Sequence, residues 1–123
     1  MNILEDNEYL LVWEEDGIIC NQYKKPVVTL EIAKLSVATR LKVTHSSPCK
    51  LFVDPKNVRS ITKEARDYYT TDEAMNLADA AAVLATSMIS MLIATFFLNF
   101  NKPPKPFKIF TSKEKAFEWL KGL

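Results

Sequence analysis

Chemistry in a chain this small must come from nucleophiles, bases or metal ligands, and here these are few and far apart. The one histidine, His45, precedes Cys49 by four residues, and Cys20 is the only other cysteine. Pro48 stands between His45 and Cys49 and prevents a regular helix from placing both on one face. Cys20 and Cys49, 29 residues apart, form no C-x-x-C pair, so they read as reduced, partly buried thiols. His45 reads as the closing cation of a helix C-terminus. A nucleophile needs a base and a group that stabilises charge, and one histidine beside two isolated cysteines supplies no such triad. Gly17 and Gly122 are the only glycines, so phosphate loops, dinucleotide fingerprints and nucleophile elbows are excluded. The expected class is a non-enzyme, with no catalytic residue, metal or cofactor.

The elements that must position any other site follow from periodicity. Tyr9 to Glu14 and Gly17 to Gln22 are extended runs on either side of Asp16-Gly17, the strongest short hairpin signal. Thr29 offers an N-cap, and Leu30, Ala33, Val37 and Leu41 recur at helical spacing until Ser46, Ser47 and Pro48. Cys49 to Val53 reads as a central strand stopped by Asp54-Pro55, and Arg59 to Tyr69 as a helix. Thr71 and Asp72 cap a short helix from Glu73 to Leu77. A strand from Ala80 to Ala85 and a helix from Met88 to Phe100 follow. The prolines at 103, 104 and 106 break the chain before a strand from Phe107 to Thr111, and Ser112 caps a last helix that ends near Gly122. The order ββαβααβαβα predicts an α/β fold: a mixed sheet of about five strands that starts with a β-hairpin and is backed by helices.

Composition bounds the rest. With 123 residues, 48% hydrophobic and 25% charged, the chain reads as one ordinary globular domain spanning residues 1–123. Its formal charge of +1 gives no global field for nucleic acid. The charge is uneven, however: residues 1–16 hold six acids and no base, whereas residues 101–123 hold six lysines against two glutamates. The expectation is that the two ends lie near each other and partly neutralise. The acidic start is the opposite of a signal peptide, which points to a cytoplasmic protein. Ala80 to Asn101 carries no charge over 22 residues, long enough to span a bilayer, but its small-residue first part and bulky second part read as a buried strand and a buried helix, with no transmembrane span.

Several of these segments resemble the SpoIIAA-like branch of the STAS superfamily. The resemblance rests on Ala65-Arg66-Asp67-Tyr68-Tyr69 in a helix beginning near Ile61, the Ala-rich uncharged strand, and the apolar helix ending in Phe96-Phe97. It extends through the proline loop, Phe107-Lys108-Ile109-Phe110 and the last helix with Ala116, Trp119 and Leu120; the Asp54-terminated strand and the Asp16-Gly17 hairpin fit too. The resemblance implies a mixed sheet backed by helices, a bacterial cytoplasmic setting and a binding module with no catalytic centre. Antagonists of anti-sigma factors in this superfamily carry a phosphorylatable residue in an Asp-Ser-Ser-Gly context after the Asp-terminated strand. Here that region runs from Asp54-Pro55-Lys56-Asn57 to Ser60-Ile61-Thr62 without such a motif, so an inert or differently used loop is expected.

Two sets of residues are candidates for binding. Ligands of open α/β sheets gather at the carboxyl ends of parallel strands, which selects Asp54, Lys56, Asn57, Thr86, Ser87 and Ser90, although helix caps and turn formers explain the same residues. The apolar residues of Met88 to Phe100 spread around more than half of a helix, wider than one stripe against a sheet requires. Met88, Met91, Phe97 and Phe100 are therefore candidates for a partner surface, covered by neighbouring helices, a protein partner, a second copy in a homodimer or a small apolar ligand. The expected function is a protein-interaction or regulatory module; the alternative is a carrier or sensor of a small apolar or lipid-like ligand, working at the membrane surface.

Overall fold

The computed structural model describes residues 2–100 and 104–123, with the backbone alone for 96–100. The chain opens with β1 (Asn2–Asp6), β2 (Leu10–Glu15) and β3 (Ile18–Tyr23), followed by the two-residue β4 (Val27–Val28) and α1 (Leu30–Val43). Next come β5 (Cys49–Asp54), β6 (Ser60–Ile61), α2 (Lys63–Tyr69) and α3 (Asp72–Met75). The last elements are β7 (Ala78–Leu84), α4 (Met88–Phe100), β8 (Phe107–Phe110) and α5 (Lys113–Lys121). Six strands form one sheet in the order β1-β2-β3-β5-β7-β8, while β4 and β6 pair separately. The first three strands are antiparallel neighbours, and β3, β5, β7 and β8 run parallel.

Local chemistry sets most of these boundaries. Asp16 (φ 53°) and Gly17 (φ 78°) both take the left-handed conformation that a two-residue hairpin turn requires, and Glu15 pairs with Ile18 across it. Thr29, Thr62, Thr71 and Ser112 each cap a helix by accepting a hydrogen bond from a backbone N–H three residues on. Because Thr62 caps α2, that helix starts later than the expected Arg59; Ser60 and Ile61 pair with Val27 and Val28 instead. The sixth strand, β1, is an edge addition. It carries Glu5 and Asp6, has a bulge between Ile3 and Glu5, and is half-buried only at Leu4 and Glu5, which is how edge strands avoid pairing with other chains.

Side-chain alternation along the strands divides the interior in two. Leu10, Val12, Ile19 and Tyr23 face α1 and α2, with Ile93 of α4 packed against that cluster. Trp13, Cys20, Phe52, Ala80 and Ala82 face α5, where Phe117 meets Phe52 edge-on with ring centroids 5.1 Å apart. The uncharged stretch divides as expected into β7 and α4, and among the described residues no helix is long and apolar enough to cross a membrane. The oppositely charged ends also meet: Lys113 pairs with Glu15 and Lys121 with Asp16, each at 3.0 Å.

One buried charge joins the helical layer. Arg40 of α1, 5% exposed, donates from Nη1 to the Asn76 carbonyl at 2.7 Å and from Nη2 to the Ala74 carbonyl at 2.6 Å, satisfying the carbonyls at the end of α3. Hydrogen bonds from a charged donor are worth about 1.5–3 kcal/mol, and the carbonyl of Ala74 would be left buried without this donor. Arg40→Met is therefore expected to lower the unfolding free energy by about 2–4 kcal/mol in urea titration. A loss below about 0.5 kcal/mol, typical of a plain surface position, would show that these bonds do not hold α3.

Candidate functional site

Parallel pairing of Val53 with Val83 brings the loops after β5 and β7 out side by side. In the first loop, Asp54 accepts from Gln22 Nε2 and from the Lys56 backbone N–H, both at 3.1 Å, and the second bond closes an Asx turn. Asn57 Nδ2 donates to the Tyr23 carbonyl at 3.1 Å, while Lys56 is exposed. In the second loop, the Ser87 N–H donates to Ser90 Oγ at 3.1 Å and the Ser90 N–H donates to Ser87 Oγ at 3.0 Å. This reciprocal pair works as a capping box at the start of α4. Thr86 is exposed. Asp54, Asn57, Ser87 and Ser90 thus spend their hydrogen bonds on their own turns, and Ser90 alone of the six also lines the interior space described next.

Between the sheet and the helical layer lies a cavity of about 160 Å³. Val12, Ile19, Val53, Ala81 and Val83 form the sheet side, and Val37, Tyr69, Ser90, Ile93 and Ala94 the helix side. Small side chains border it on both sides, with Ala81 from β7 and Ser90 and Ala94 from α4 among its lining. The wall is almost wholly apolar. Among the described lining residues Arg40 is the one that carries a charge, and its terminal nitrogens are directed to α3 carbonyls.

A buried polar relay, which the sequence did not reveal, runs along one side of this space. Ser36 Oγ donates to the Ala33 carbonyl at 2.7 Å and lies 2.7 Å from the Tyr69 hydroxyl. The Tyr69 hydroxyl lies 2.5 Å from that of Tyr23. Each hydroxyl has one proton to give. Since Ser36 gives its own to Ala33, it accepts from Tyr69, and Tyr69 then accepts from Tyr23. Asn21 Oδ1, on the same strand two residues before Tyr23, is buried with no hydrogen-bond partner among the described residues. The available sequence signal was Asn21-x-Tyr23 on a strand, two polar-tipped residues on one face at period two.

On the outward side of α4, Met88 is 80% and Leu92 63% exposed, and Met91 is half-buried. The Phe97 and Phe100 side chains lie outside the described residues. Among the described residues no cluster of three or more metal-ligating side chains occurs. Both thiols are buried: burial pushes the Cys20 thiol up to about 12 and also raises that of Cys49. His45 is exposed just past α1, with a left-handed backbone (φ 52°). Thr62 is committed to its cap, and Ser60 is exposed on β6.

Burial of its hydroxyl raises Tyr69 well above the ordinary tyrosine value, with the neighbouring Tyr23 adding to the rise, and burial raises Tyr23 too. The folded chain therefore keeps a proton that the unfolded chain releases near about pH 10. This contribution is complete below that pH and is lost as pH rises toward the higher folded value. Between about pH 8 and about pH 11, wild type is expected to lose more unfolding free energy than Tyr69→Phe in denaturant titration. Equal losses would mean that Tyr69 ionises as freely in the fold as out of it.

Comparison with known proteins is consistent with this architecture. No curated protein matches the chain. A crystal structure of an uncharacterised protein of the DUF3478 family from Shewanella loihica PV-4, described as having a SpoIIAA-like fold, superposes with a TM-score of 0.64 at 15% identity. The match covers 94% of this chain and 98% of that one, so the SpoIIAA-like fold expected from the sequence is shown. Residues 12–123 match the profile of a family described as Domain of unknown function (DUF7793), and the chain belongs to that family.

Proposed function

We propose that this chain is a non-catalytic, single-domain binding module of the bacterial cytoplasm that takes a small apolar ligand between its sheet and α4, as a carrier or sensor. The observation that carries this reading is the cavity. Its volume of about 160 Å³ compares with the roughly 150 Å³ of an engineered apolar cavity that stays dry and admits benzene. The lining supports the same conclusion, because an apolar wall with few polar groups at one side is the usual make-up of a small-molecule site. The polar loops after β5 and β7 serve as the rim in this reading, with Asp54, Lys56, Asn57, Thr86 and Ser87 outside and Ser90 at the wall. Against catalysis stand two thiols held toward their neutral form by burial.

A second reading, that α4 docks a protein partner or a second copy of the chain, is favoured by the exposure of Met88 and Leu92. The two readings are compatible, since α4 presents Ser90 and Ala94 inward and Met88 and Leu92 outward.

Toluene, added to saturation and followed by methyl NMR, is expected to shift Val12, Val83 and Ile93 but not Leu120 on the α5 side. In Ala94→Leu those shifts should disappear while stability holds or rises by about 1 kcal/mol, as filling a void does. A saturated sample with unmoved cavity methyls would remove the ligand reading. For the outward face, the double variant Met88→Glu, Leu92→Glu should keep wild-type stability within about 0.5 kcal/mol, because both residues are exposed. Sedimentation of wild type is expected to show a concentration-dependent dimer that the double variant lacks; a wild type monomeric at high concentration would dismiss self-association.

A further inference from the structure

Resting on the cavity reading, we propose that the ligand is an amphiphile with an anionic head such as a carboxylate. Its apolar body sits in the cavity and its head stays at the rim, beside Lys56 and Arg59. Access comes from the loop after β5. Leu51 and Val53 lie on an interior strand of the sheet and line the cavity, yet both are only half-buried, as are Pro55, Ile61 and Ile93 of the same lining. The Val58 N–H donates to the Pro55 carbonyl at 2.9 Å, closing a turn whose two ends line the cavity and whose tip is Lys56 and Asn57. Lys56 and Arg59 are exposed, so this loop sets two cations at the edge of an apolar space.

Pairing elsewhere sets these two cations apart. Lys24, Lys25 and Lys63 spend their charge on Asp6, Glu8 and Asp67, whereas among the described residues neither Lys56 nor Arg59 has an ion pair. From Pro55 to Lys63 the chain carries three cations and no acid, and across the mouth Ala80 to Asn101 carries no charge at all. Asp54, the acid that precedes this run, already accepts from Gln22 Nε2 and from the Lys56 backbone N–H. An anionic head therefore meets a positive edge, and a cationic head meets like charge. The head does not go inside, because Arg40 directs both terminal nitrogens at the Ala74 and Asn76 carbonyls and an unpaired buried anion is costly. By comparison with the benzene-binding cavity, the volume suits an apolar body of about six carbons.

Hexanoate, hexanol and hexylamine share one tail and differ in the charge of the head. In NMR titrations of the wild-type chain at low salt, hexanoate is expected to move the Val83 and Ile93 methyls together with the Lys56 backbone amide. It should bind about fivefold more tightly than hexanol, with hexylamine the weakest; exposed ion pairs contribute little each, which keeps the preference modest. The preference should vanish at about 1 M salt, where screening is strong. It should also vanish in the double variant Lys56→Gln, Arg59→Gln, whose fold is expected to hold because both side chains are exposed. Hexanol or hexylamine equal to hexanoate, a preference that survives salt or both substitutions, or a Lys56 shift with unmoved cavity methyls would each overturn the proposal. The wild-type series at two salt concentrations decides the matter even if the double variant folds poorly. Hexanol or toluene binding without a preference for the anionic head would defeat this inference and leave the cavity reading standing, whereas cavity methyls unmoved by every probe would defeat both.

Discussion

β7 is buried on both faces at most positions, yet four of its seven residues are alanine, and this shortage of side-chain volume governs what its neighbours can do. On one face Ala80 and Ala82 let α5 come close enough for Phe117 and Leu120 to fill the space against Phe52. Interiors pack to nearly crystalline density, and there the rule is obeyed. On the other face no large side chain of the described part of α4 is known to fill the space before Ala81. The residues of α4 that look toward it, Ser90 and Ala94, are themselves small, so space is left where large meets small on the first face and small meets small on the second. The same strand thus makes both the firmest part of the core and the emptiest.

The emptiness has a cost that a stability argument alone would not retain. The small side chains that border the space forgo packing contacts that larger ones would make. The surface ion pairs do not offset it: Lys113 with Glu15, Lys121 with Asp16 and Lys42 with Glu5 are partly or largely exposed, and such pairs contribute little each. They fix which ends of the chain meet, while burial supplies the free energy. A bound apolar molecule would recover part of the loss.

Local chemistry made much of the fold legible. The Asp16-Gly17 turn, the hydroxyl caps at 29, 71 and 112, and the division of the uncharged segment into strand and helix all depend on residues close in sequence. What escaped depends on partners far away. β1 is a strand because Asn2 and Ile3 find Glu14 and Trp13, and β6 because Ser60 and Ile61 find Val27 and Val28, although neither segment has a strong pattern of its own. The site was harder still. Polar residues at strand ends stood out in the sequence, and Ser90 did reach the cavity wall, but Asn21, Tyr23, Ser36 and Tyr69 come from three elements and mean nothing until the sheet and two helices assemble.

That contrast also bears on where binding is to be sought. The expected loop residues are satisfied by their own turns: Asp54 by Gln22 and Lys56, Asn57 by Tyr23, Ser87 and Ser90 by each other. A ligand arriving there would have to displace bonds already made, and the exchange would gain little. At the cavity the wall is almost wholly apolar, and no turn bond needs breaking there. Removing apolar surface from water is favourable without any bond being exchanged, so an apolar space is the better place to seek a ligand than a polar rim of satisfied groups.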